Sequence, residues 1–473
     1  MPALCCADPT RFTGVTADSR QVRPGMLFVA IIGGHADGRR FIPDAVANGA
    51  AAVLAPSGTV WPDGVPLRPL LLDPEPRRAL ARIAARLAGP APERVVAITG
   101  TNGKTSTAEF LRQINQTAGR TSASLGTLGV IAPGLAGGSG LTTPDPVTLA
   151  ETMAALARDG VTDVAVEASS HGLDQRRLDG LHFAAAAFTN FTRDHLDYHG
   201  SMDEYRRAKL RLFDTLLATG TPALASATLD AATLAALVDI ARLRSLKFQK
   251  IGGLDDDFAL LRAVPRPDGQ LLELRVGGQL QQVMLKLVGR FQADNAMLAA
   301  GLAMATGVAD APRLLSELAG VRGRLELAAT LANGAAIYVD FAHTPDALER
   351  LIAALRPHTP GKLGVVFGAG GDRDPGKRPL MGAAVASADW AVVTDDNPRS
   401  EAPAAIRAAV RAGAPNARDI GDRAGAIAAG IDDLGPGDVL VIAGKGHEQG
   451  QAIGGEILPF DDMATVRLLV GAR

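Results

Sequence analysis

One pattern recurs along this chain: a short apolar run rich in β-branched residues, a loop of small polar residues, and a segment with helical periodicity. It is clearest in RVVAITGTNGKTSTAEFLRQI (94–114) and DVAVEASSHGL (163–173). After residue 325 it recurs in segments that begin AAIYVD, KLGVVF, WAVVT and DVLVIA. Strands that alternate with helices form parallel, doubly wound sheets, which bind ligands at the carboxyl ends of their strands. The sequence therefore predicts an α/β fold.

The chain is too long to bury its apolar residues in one hydrophobic core. Its 473 residues fit three domains at about 100 to 200 residues each. The Pro-rich GPAPE at 89–93 is typical of a linker. We expect an N-terminal α/β domain at 1–90, a central P-loop ATPase-like domain with a parallel sheet at 91–324, and a C-terminal Rossmann-like domain at 325–473.

The composition excludes several classes of protein. With 47% hydrophobic and 21% charged residues, it is that of a folded globular chain. The formal net charge of -2 gives no global basic field, so we expect neither nucleic acid nor a membrane as partner. Cys5 and Cys6 are the only cysteines, which excludes a disulfide framework and fits a reducing compartment. The sequence shows no leader pattern and no apolar run of about 18 residues, and we expect a cytoplasmic protein.

The strongest local motif is ITGTNGKTS, residues 98–106. A strand that enters a glycine-rich loop and then a helix directs backbone N–H groups at one point, which suits a phosphate chain. Lys104 would contact the β- and γ-phosphates and Thr105 would ligate Mg²⁺. Ile98 stands where the usual pattern has its first glycine, so the loop is a shorter GxxGKT variant. Such a loop alone fits a kinase, a motor or a switch.

Acidic and imidazole side chains follow two later apolar runs. Glu167, Asp194, His195 and Asp197 lie within two loops that would lie beside the nucleotide. Carboxylates are ligands that Mg²⁺ accepts, whereas histidine is an uncommon one. Each residue alone is typical of a surface or capping position, and it is their density in two strand-end loops that indicates a metal site.

The stretch TDDNPRS, residues 394–400, follows another apolar run. Asp, Asn and Pro all favour turns, because Asp and Asn bond to their own backbone and Pro fixes φ. A simple turn between a strand and a helix therefore explains it. Its place at the carboxyl end of a predicted parallel strand also favours a role in ligand binding.

Taken in order, the motifs of the chain resemble those of the Mur ligase family. They are GTNGKT, EASSHGL, TRDHLDYHG, YRRAKLRLF, VDFAHTPDAL, GGDRDPGKRPLM, DDNPR and GKGHE. The resemblance is strongest to the members that add the third amino acid to the UDP-N-acetylmuramoyl peptide of peptidoglycan. It implies a three-domain α/β ligase that uses ATP to form an acyl phosphate on the D-glutamate γ-carboxylate and then an amide with meso-diaminopimelate. It also implies Mg²⁺, a CO₂-derived carbamate on Lys209, small-molecule substrates and a monomer.

The resemblance carries roles to individual residues. Those implied in catalysis are Lys104, Glu167, His195 and Lys209. Those implied for Mg²⁺ are Thr105, Glu167, His195 and carbamylated Lys209. The ATP contacts would be Gly100, Thr101, Asn102, Gly103, Lys104, Thr105, Ser106, Asn295, Arg324, Asp340 and His343. The N-terminal domain would bind the UDP-substrate. The implied contacts are Ala17, Ser19, Gly34, His35, Ala36, Thr142, Thr143, Ser169, Gln175 and Arg177.

Members of the family with this role add either meso-diaminopimelate or L-lysine. These two amino acids differ by one distal carboxylate. Arg399 and Arg373 offer guanidinium groups for that carboxylate. Asp396, Asn397 and Glu448 would accept from the distal ammonium, and Gly444 would allow a close approach of its loop. The implied diaminopimelate contacts are Arg373, Asp396, Asn397, Pro398, Arg399, Gly444 and Glu448.

Three alternative functions stay open from the sequence. The first is an L-lysine-adding ligase of the same family, although the relatives of that kind lack the arginine of DDNPR. The second is a folylpolyglutamate synthetase, which DDNPR and GKGHE disfavour. The third, from another class, is a P-loop kinase or nucleotide-driven switch, which would hydrolyse ATP without an amino acid.

Overall fold

The computed structural model describes residues 12–34, 36–137 and 141–471. Cys5, Cys6 and His35 lie outside the described residues. The described chain divides into two compact units. The first comprises the residues up to Gly252 together with Met297–Pro312, and the second comprises Gly253–Ala296 together with the residues from Arg313 onward. The domain boundaries at 90 and 324 stay predictions.

The first unit begins with a small parallel sheet between helices. Its strands are β1 (Val15–Thr16), β2 (Leu27–Val29), β3 (Ala52–Pro56) and β4 (Leu70–Asp73), in the order β1-β2-β3-β4. Its helices are α1 (Ile42–Ala47) and α2 (Pro76–Ala88). Alternate strand residues point to opposite faces, so Leu27 and Leu54 pack with α2 whereas Phe28 and Val53 pack with α1.

A larger sheet follows in the same unit. Its strands are β5 (Arg94–Thr99), β6 (Ser122–Gly126), β7 (Gly129–Ala132), β8 (Leu135–Gly137), β9 (Asp163–Glu167), β10 (Ala185–Phe188), β11 (Pro222–Ser226) and β12 (Lys247–Ile251). Their order is β12-β11-β10-β5-β9-β6-β7-β8, parallel except at β7 and β8. The helices are α3 (Lys104–Thr117), α4 (Pro146–Arg158), α5 (Ser170–Asp174), α6 (Leu196–His199), α7 (Met202–Arg211) and α8 (Ala231–Leu243). Because β5 lies between β9 and β10, the loops after these three strands share one edge.

The second unit contains an antiparallel sheet that the repeating pattern did not predict. Its strands are β13 (Phe258–Arg266), β14 (Gly269–Val276) and β15 (Gln279–Leu285), in that order. Polar and charged side chains interrupt these strands, and in β14 and β15 the buried apolar residues alternate, as at Leu272 and Leu274 and at Val283 and Leu285. A sheet with one solvated face lacks the continuous apolar runs that mark the parallel strands.

A six-stranded sheet forms the core of the second unit. Its strands are β16 (Glu326–Thr330), β17 (Ala336–Asp340), β18 (Leu363–Phe367), β19 (Trp390–Val393), β20 (Arg418–Asp419) and β21 (Val439–Ala443), in the order β16-β17-β21-β18-β19-β20. All neighbours are parallel except β16 with β17. A hairpin of β22 (Gly450–Ile453) and β23 (Glu456–Pro459) follows β21.

Helices cover both faces of this sheet. They are α10 (Pro345–Leu355), α11 (Lys377–Ala384), α12 (Pro403–Arg411), α13 (Arg423–Asp432) and α14 (Asp462–Gly471), whereas α9 (Arg290–Ala305) precedes the sheet in the chain and is divided between the two units. Buried residues of α10, α11 and α12 pack on one face, and those of α13 and α14 on the other. Short 3₁₀ or π turns occur at Ser19–Gln21, Gly38–Phe41, Leu212–Leu216, Arg313–Glu317 and Arg356–His358.

The predicted α/β class is confirmed, and so are the four strand–loop repeats after residue 325, which form β17, β18, β19 and β21. Their loops leave the same edge of the sheet because the four strands are parallel neighbours. Across residues 12–34, 36–137 and 141–471, no helix is both long and apolar enough to span a bilayer.

Candidate active site

The glycine-rich loop between β5 and α3 is held by the loop that follows β10. Gly100 has a φ of 144°, and Gly103, which precedes α3, has a φ of 82°. The Thr101 N–H donates to the carbonyl oxygen of Asn190 at 2.8 Å, and the Asn102 N–H donates to Asn190 Oδ1 at 2.9 Å. These two N–H groups are therefore used inside the protein, so the N–H groups at the start of α3 are the ones that suit a phosphate.

Two lysine ammonium groups converge on one carbonyl oxygen of this loop. Lys104 Nζ donates to the Gly100 oxygen at 2.9 Å and to the Thr101 oxygen at 2.7 Å. Lys209 Nζ, on α7, donates to the same Gly100 oxygen at 2.7 Å. The structure thus brings the sequence-predicted Lys209 to the phosphate loop, more than a hundred residues away along the chain.

Lys209 lies in surroundings that disfavour its charged form. The residue is 1% exposed, and Nζ lies 4.6 Å from the centre of the Tyr205 ring. Burial holds the pKa of the Lys209 ammonium well below its ordinary value, and the charge of Lys104 lowers it further, while Asp194 opposes the shift. A neutral amine is nucleophilic, which is the form that reacts with CO₂.

Glu167 is fixed at the end of β9, beside β5. Its Oε1 accepts from the Thr127 N–H at 2.8 Å, and its Oε2 accepts from Thr127 Oγ1 at 3.1 Å. A Cβ at Gly126 would lie 2.0 Å from Oε1, so only glycine permits this approach. Thr127 Oγ1 also lies 3.2 Å from Thr142 Oγ1, which joins Glu167 to a predicted substrate contact.

His195 immediately precedes α6 with a φ of 51°, in the left-handed region. Its Nε2 lies 3.5 Å from Asp194 Oδ2. Burial lowers the pKa of the His195 imidazole, and Lys104 and Lys209 lower it further, against Asp194 and Asp197. These shifts favour the neutral ring, which is the form that binds a metal.

Aromatic residues around His195 were missed by the sequence analysis. Tyr205 is fully buried and its hydroxyl donates to Thr101 Oγ1 at 3.2 Å, which ties α7 to the phosphate loop. His171, Tyr198 and His199 pack together, with ring centres 4.1 Å apart for His171 and Tyr198. Tyr198 and His199, which follow TRDHLD, could have indicated an aromatic cluster. Histidine and tyrosine have no fixed role at a helix end, so the sequence did not predict their contacts.

Four of the predicted substrate contacts form one hydrogen-bonded network after β9. Thr143 Oγ1 donates to the Glu167 carbonyl at 2.7 Å and accepts from the Ser169 N–H at 3.0 Å. Arg177 Nη1 donates to the Thr143 carbonyl at 2.6 Å, and Arg177 Nη2 donates to Gln175 Oε1 at 2.7 Å. The network connects the Glu167 backbone to a guanidinium that lines the adjacent cleft.

That cleft, of about 1720 Å³, lies in the first unit. The predicted residues that line it are Ala17, Ser19, Gln175 and Arg177. Gly34 and Ala36 lie in a turn closed by a 2.8 Å hydrogen bond from the Gly33 N–H to the Ala36 carbonyl, and in the described structure neither lines the cleft. The structure therefore groups the predicted residues near Ala17 with Arg177 and leaves the turn at Gly34 apart.

In the second unit, Asp340 ends β17 with both carboxylate oxygens engaged. Oδ2 accepts from the Leu325 N–H at 2.7 Å and Oδ1 from the Ala342 N–H at 2.8 Å. Burial raises the pKa of Asp340, against the nearby charge of Arg324 and these hydrogen bonds. The carboxylate shapes the loop rather than facing solvent.

Three other predicted nucleotide contacts lie around this loop or on α9. The Arg324 guanidinium lies 4.8 Å from the centre of the Phe341 ring, and His343 Nδ1 lies 2.8 Å from the Phe341 carbonyl. Asn295 is buried on α9, where Gln292 Nε2 donates to the Arg324 carbonyl at 3.0 Å. Within the second unit, Arg324, Asp340 and His343 are thus one group, and α9 contacts its edge.

Arg399, in the turn after β19, has a φ of 52°. Its backbone is clamped by β22, since its N–H donates to the Ala452 carbonyl at 2.9 Å and its carbonyl accepts from Gly454 at 2.8 Å. Nη1 donates to the Gly371 carbonyl at 2.6 Å. One edge of the guanidinium is thereby fixed, and further N–H groups can bind a carboxylate.

The loops after β18, β19 and β21 approach one another closely. A Cβ at Gly444, whose φ is 120°, would lie 2.4 Å from Asp396 Oδ2, and a Cβ at Gly371 would lie 1.9 Å from the Pro398 carbonyl. Burial lowers the pKa of Lys377. The charges of Arg373 and Arg399 lower this pKa further, whereas the charge of Asp396 raises it. The charges of Arg373, Asp396 and Arg399 therefore lie within one region around Lys377.

Asn397 has less capacity for a ligand than the sequence analysis expected. Its Oδ1 accepts from the Ala452 N–H at 2.9 Å and from Lys445 Nζ at 3.2 Å. Its Nδ2 donates to Glu448 Oε2 at 2.9 Å. Both lone-pair positions of Oδ1 are occupied, which favours a role in holding the turn over acceptance from an ammonium.

The sequence analysis also missed a buried ion pair beneath these loops. Arg423 and Asp462 have no exposed side-chain surface, and two hydrogen bonds of 2.7 Å join them. Arg423 also donates to the carbonyls of Ala443 at 3.2 Å and Asp395 at 3.4 Å. It therefore fixes the ends of β21 and the turn after β19. An arginine at the start of a helix is usually exposed, so sequence alone gave no sign of it.

Comparison with known proteins agrees with this architecture. Three family profiles match the chain: "Mur ligase family, catalytic domain" at 11–86, "Mur ligase middle domain" at 98–303, and "Mur ligase, glutamate ligase domain" at 323–446. A UDP-N-acetylmuramoyl-L-alanyl-D-glutamate–2,6-diaminopimelate ligase of Caulobacter vibrioides is 52% identical over 98% of this chain and 96% of its own. The chain belongs to the Mur ligase family, and the predicted family is confirmed.

Solved structures show the same fold. The structure of a UDP-N-acetylmuramoyl-L-alanyl-D-glutamate–2,6-diaminopimelate ligase superposes with a TM-score of 0.73 at 32% identity, over 98% of this chain and 95% of its own. MurF ligase from Thermotoga maritima in complex with ADP superposes with a TM-score of 0.61 at 21% identity, over 92% and 95%. The second likeness shows the fold alone.

Gly100→Ala should weaken nucleotide binding by at least about tenfold, the equivalent of about 1.4 kcal/mol. A Cβ there would lie 1.9 Å from Thr189 Oγ1 and 3.1 Å from the Asn190 nitrogen, at a φ of 144°, so the loop must move. Calorimetric titration with a non-hydrolysable ATP analogue measures the change. Gly134→Ala is the matched control, because its φ is also positive but no atom lies within 4 Å. Equal affinities for all three proteins would contradict the assignment of the loop.

Proposed function

We propose that this chain joins meso-diaminopimelate to the D-glutamate γ-carboxylate of UDP-N-acetylmuramoyl-L-alanyl-D-glutamate, with cleavage of ATP to ADP and phosphate. The observation that carries this proposal is the match, over nearly the whole of both chains, to relatives named for that reaction, such as the 52% identical protein of Caulobacter vibrioides. The reaction belongs to the synthesis of peptidoglycan precursors. We also propose that the protein is a cytoplasmic monomer.

The chemistry requires activation of a carboxylate. A carboxylate does not react with an amine, because oxide is a poor leaving group, whereas an acyl phosphate releases phosphate. Transfer of the γ-phosphoryl group brings two anions together, so cations must neutralise the phosphoryl oxygens. Lys104 and the N–H groups that start α3 supply positive charge at the glycine-rich loop. The amine then attacks the acyl carbon, and a tetrahedral intermediate collapses to the amide.

The residues of the first unit fit a magnesium ion bound with the nucleotide. Among the described residues no three His, Cys, Asp or Glu side chains converge as a preformed metal site. The ion would be held by Thr105, Glu167 and His195 together with phosphate oxygens. Carboxylates and phosphates are the common ligands of Mg²⁺ beside ATP, and His195 would be a less common one. When bound, it neutralises the charge of the phosphates. The orientation of the Glu167 carboxylate by Thr127 supports this assignment.

The surroundings of Lys209 fit the implied carbamate. Its amine is fully buried, held toward the neutral form and fixed by the Gly100 carbonyl. Reaction of the neutral amine with CO₂ would form an N–C bond and release one proton, which leaves a carbamate anion at the phosphate loop. Its carboxylate oxygens would serve as ligands for a second Mg²⁺.

The second unit supplies charges for the amino acid. Arg399, with one N–H fixed by Gly371, would bind the distal carboxylate of diaminopimelate together with Arg373. Asp396 and Glu448 would receive the distal ammonium. L-Lysine lacks the carboxylate and would leave the guanidinium of Arg399 without its partner, so the site would reject it.

We predict that ADP release requires the UDP-dipeptide and the amino acid together. With meso-diaminopimelate, kcat/KM should exceed that with L-lysine by about 10⁴-fold, because a polar site rejects a substrate that lacks its partner group. A coupled ADP assay with a panel of amino acids measures both effects. Comparable values for the two amino acids would contradict the specificity, and steady ATP hydrolysis without an amino acid would indicate a kinase or switch instead.

We expect Arg399→Ala to raise the KM for diaminopimelate by about 10- to 100-fold, the range that follows from a lost charge-assisted hydrogen bond. The KM for ATP should not change, since the residue has no part in the phosphate loop. Initial-rate kinetics with each substrate varied in turn separates the two constants. Arg418→Ala removes an exposed arginine of the same unit and should leave both constants as in the unmodified protein. A parallel rise in the KM for ATP would show a general defect.

Lys209→Ala should lower kcat by about 10²- to 10³-fold, as for loss of one preorganised charge at a phosphoryl-transfer site. Short carboxylates such as acetate should restore part of this activity, because they can occupy the space of the carbamate. Steady-state rates with and without acetate provide the measurement. Lys247→Ala, which removes an exposed lysine of the same unit, serves as the control. Full activity of Lys209→Ala without acetate would exclude the carbamate.

A further inference from the structure

Lys445 is a fully buried lysine in the loop after β21, and neither the nucleotide nor the amino acid contacts described above include it. Its side chain has no exposed surface, whereas the side chain of Glu448 is 37% exposed. Lys445 Nζ lies 3.1 Å from Glu448 Oε2 and 3.2 Å from Asn397 Oδ1. A buried cation is costly unless it is paired, and Glu448, one of the residues proposed to bind the amino acid, is the partner of this one.

We propose that Lys445 is a positioning residue for the selectivity between amino acid substrates. It pairs with the Glu448 carboxylate, so that an amino acid with a distal ammonium but no distal carboxylate is excluded. The proposal rests on the proposed function, because it names a further determinant of the same pocket.

The first step of the argument is the geometry of Glu448. Its Oε2 already accepts from Lys445 Nζ and from Asn397 Nδ2. The exposed part of the side chain can still receive a ligand, but that ligand meets a carboxylate whose charge Lys445 largely compensates. An incoming ammonium would therefore gain from Glu448 only part of the attraction that an unpaired carboxylate would give.

The second step is the difference between the two amino acids. The distal end of L-lysine carries one positive charge and no carboxylate, so its attraction to this pocket depends on how much of the Glu448 charge Lys445 leaves uncompensated. The distal end of diaminopimelate carries both an ammonium and a carboxylate, so the field of Lys445 repels one group and attracts the other. Lys445 thus disfavours L-lysine as a substrate, independently of the preference for diaminopimelate that Arg399 would provide.

The third step is that the charge of Lys445 can be removed with little loss of structure. In Lys445→Met an unbranched apolar side chain of similar length replaces the lysine in a fully buried site. Asn397 Oδ1 keeps its hydrogen bond from the Ala452 N–H, and Glu448 Oε2 keeps that from Asn397 Nδ2. Both former partners of the ammonium therefore remain hydrogen-bonded.

The experiment compares kcat/KM for L-lysine and for meso-diaminopimelate in the unmodified protein and in Lys445→Met, with saturating ATP and UDP-dipeptide. We expect kcat/KM for lysine to rise by at least about tenfold, the factor equivalent to about 1.4 kcal/mol, because the uncompensated Glu448 carboxylate would attract the distal ammonium. The value for diaminopimelate should fall by a smaller factor, and the KM for ATP should stay constant. A gain with lysine is a result that structural damage does not produce.

Two further variants complete the test. Lys362→Met makes the same substitution before β18, at the opposite edge of the sheet, and should change neither value. Lys445→Gln removes the charge but keeps a donor for Glu448, and it should shift selectivity in the same direction as Lys445→Met. Thermal unfolding checks that each variant is folded.

The proposal is overturned if lysine use falls in parallel with diaminopimelate use, or if the ratio of the two stays within about threefold, well below the tenfold step set by 1.4 kcal/mol. Loss of folding in both Lys445 variants would also overturn it, because the residue would then be structural. Failure of the unmodified protein to use diaminopimelate would instead contradict the proposed function, so the two failures are distinguishable.

Discussion

The first unit depends on one carbonyl oxygen, that of Gly100, which receives two ammonium groups. The oxygen can do so because the loop has glycine where any side chain would collide with Thr189. The double contact brings α7 against the phosphate loop and buries Lys209 beside the charge of Lys104. Burial and like charge then move Lys209 toward the neutral amine. A backbone constraint in the loop thereby sets the chemistry of a residue on a distant helix.

In the second unit, the turn after β19 and the end of β21 are fixed relative to each other. Arg423 and Asp462 do this from below, through an ion pair that also binds the carbonyls of Ala443 and Asp395. Removing one partner of such a pair leaves an uncompensated buried charge, at a cost of about 3 to 5 kcal/mol. The loops above it can therefore carry exposed charges for a ligand while their ends stay rigid.

Much of this was predictable from the sequence, because β-branched runs followed by polar loops specify parallel strands and place their loops at one edge. The GTNGKT loop and the arginine of DDNPR followed from local chemistry and from resemblance to the family. The sheet at 258–285 was missed, since strands with one solvated face leave no continuous apolar run. Tyr205, Arg423 and the partners of Asn397 were missed for another reason: their roles come from contacts between residues far apart in the chain. No local pattern encodes such contacts.

The turn at Arg399 has a consequence for the evolution of this pocket. Its φ of 52° is a conformation that costs an L-residue about 1 to 2 kcal/mol and costs glycine almost nothing. The most stable residue for the turn is therefore one that cannot bind a carboxylate. Under the proposed function, the conformational preference of the turn and the recognition of the substrate carboxylate therefore favour different residues at this position. A descendant that no longer needed the distal carboxylate would gain stability by losing the arginine, so the guanidinium persists only while recognition of its ligand is under selection.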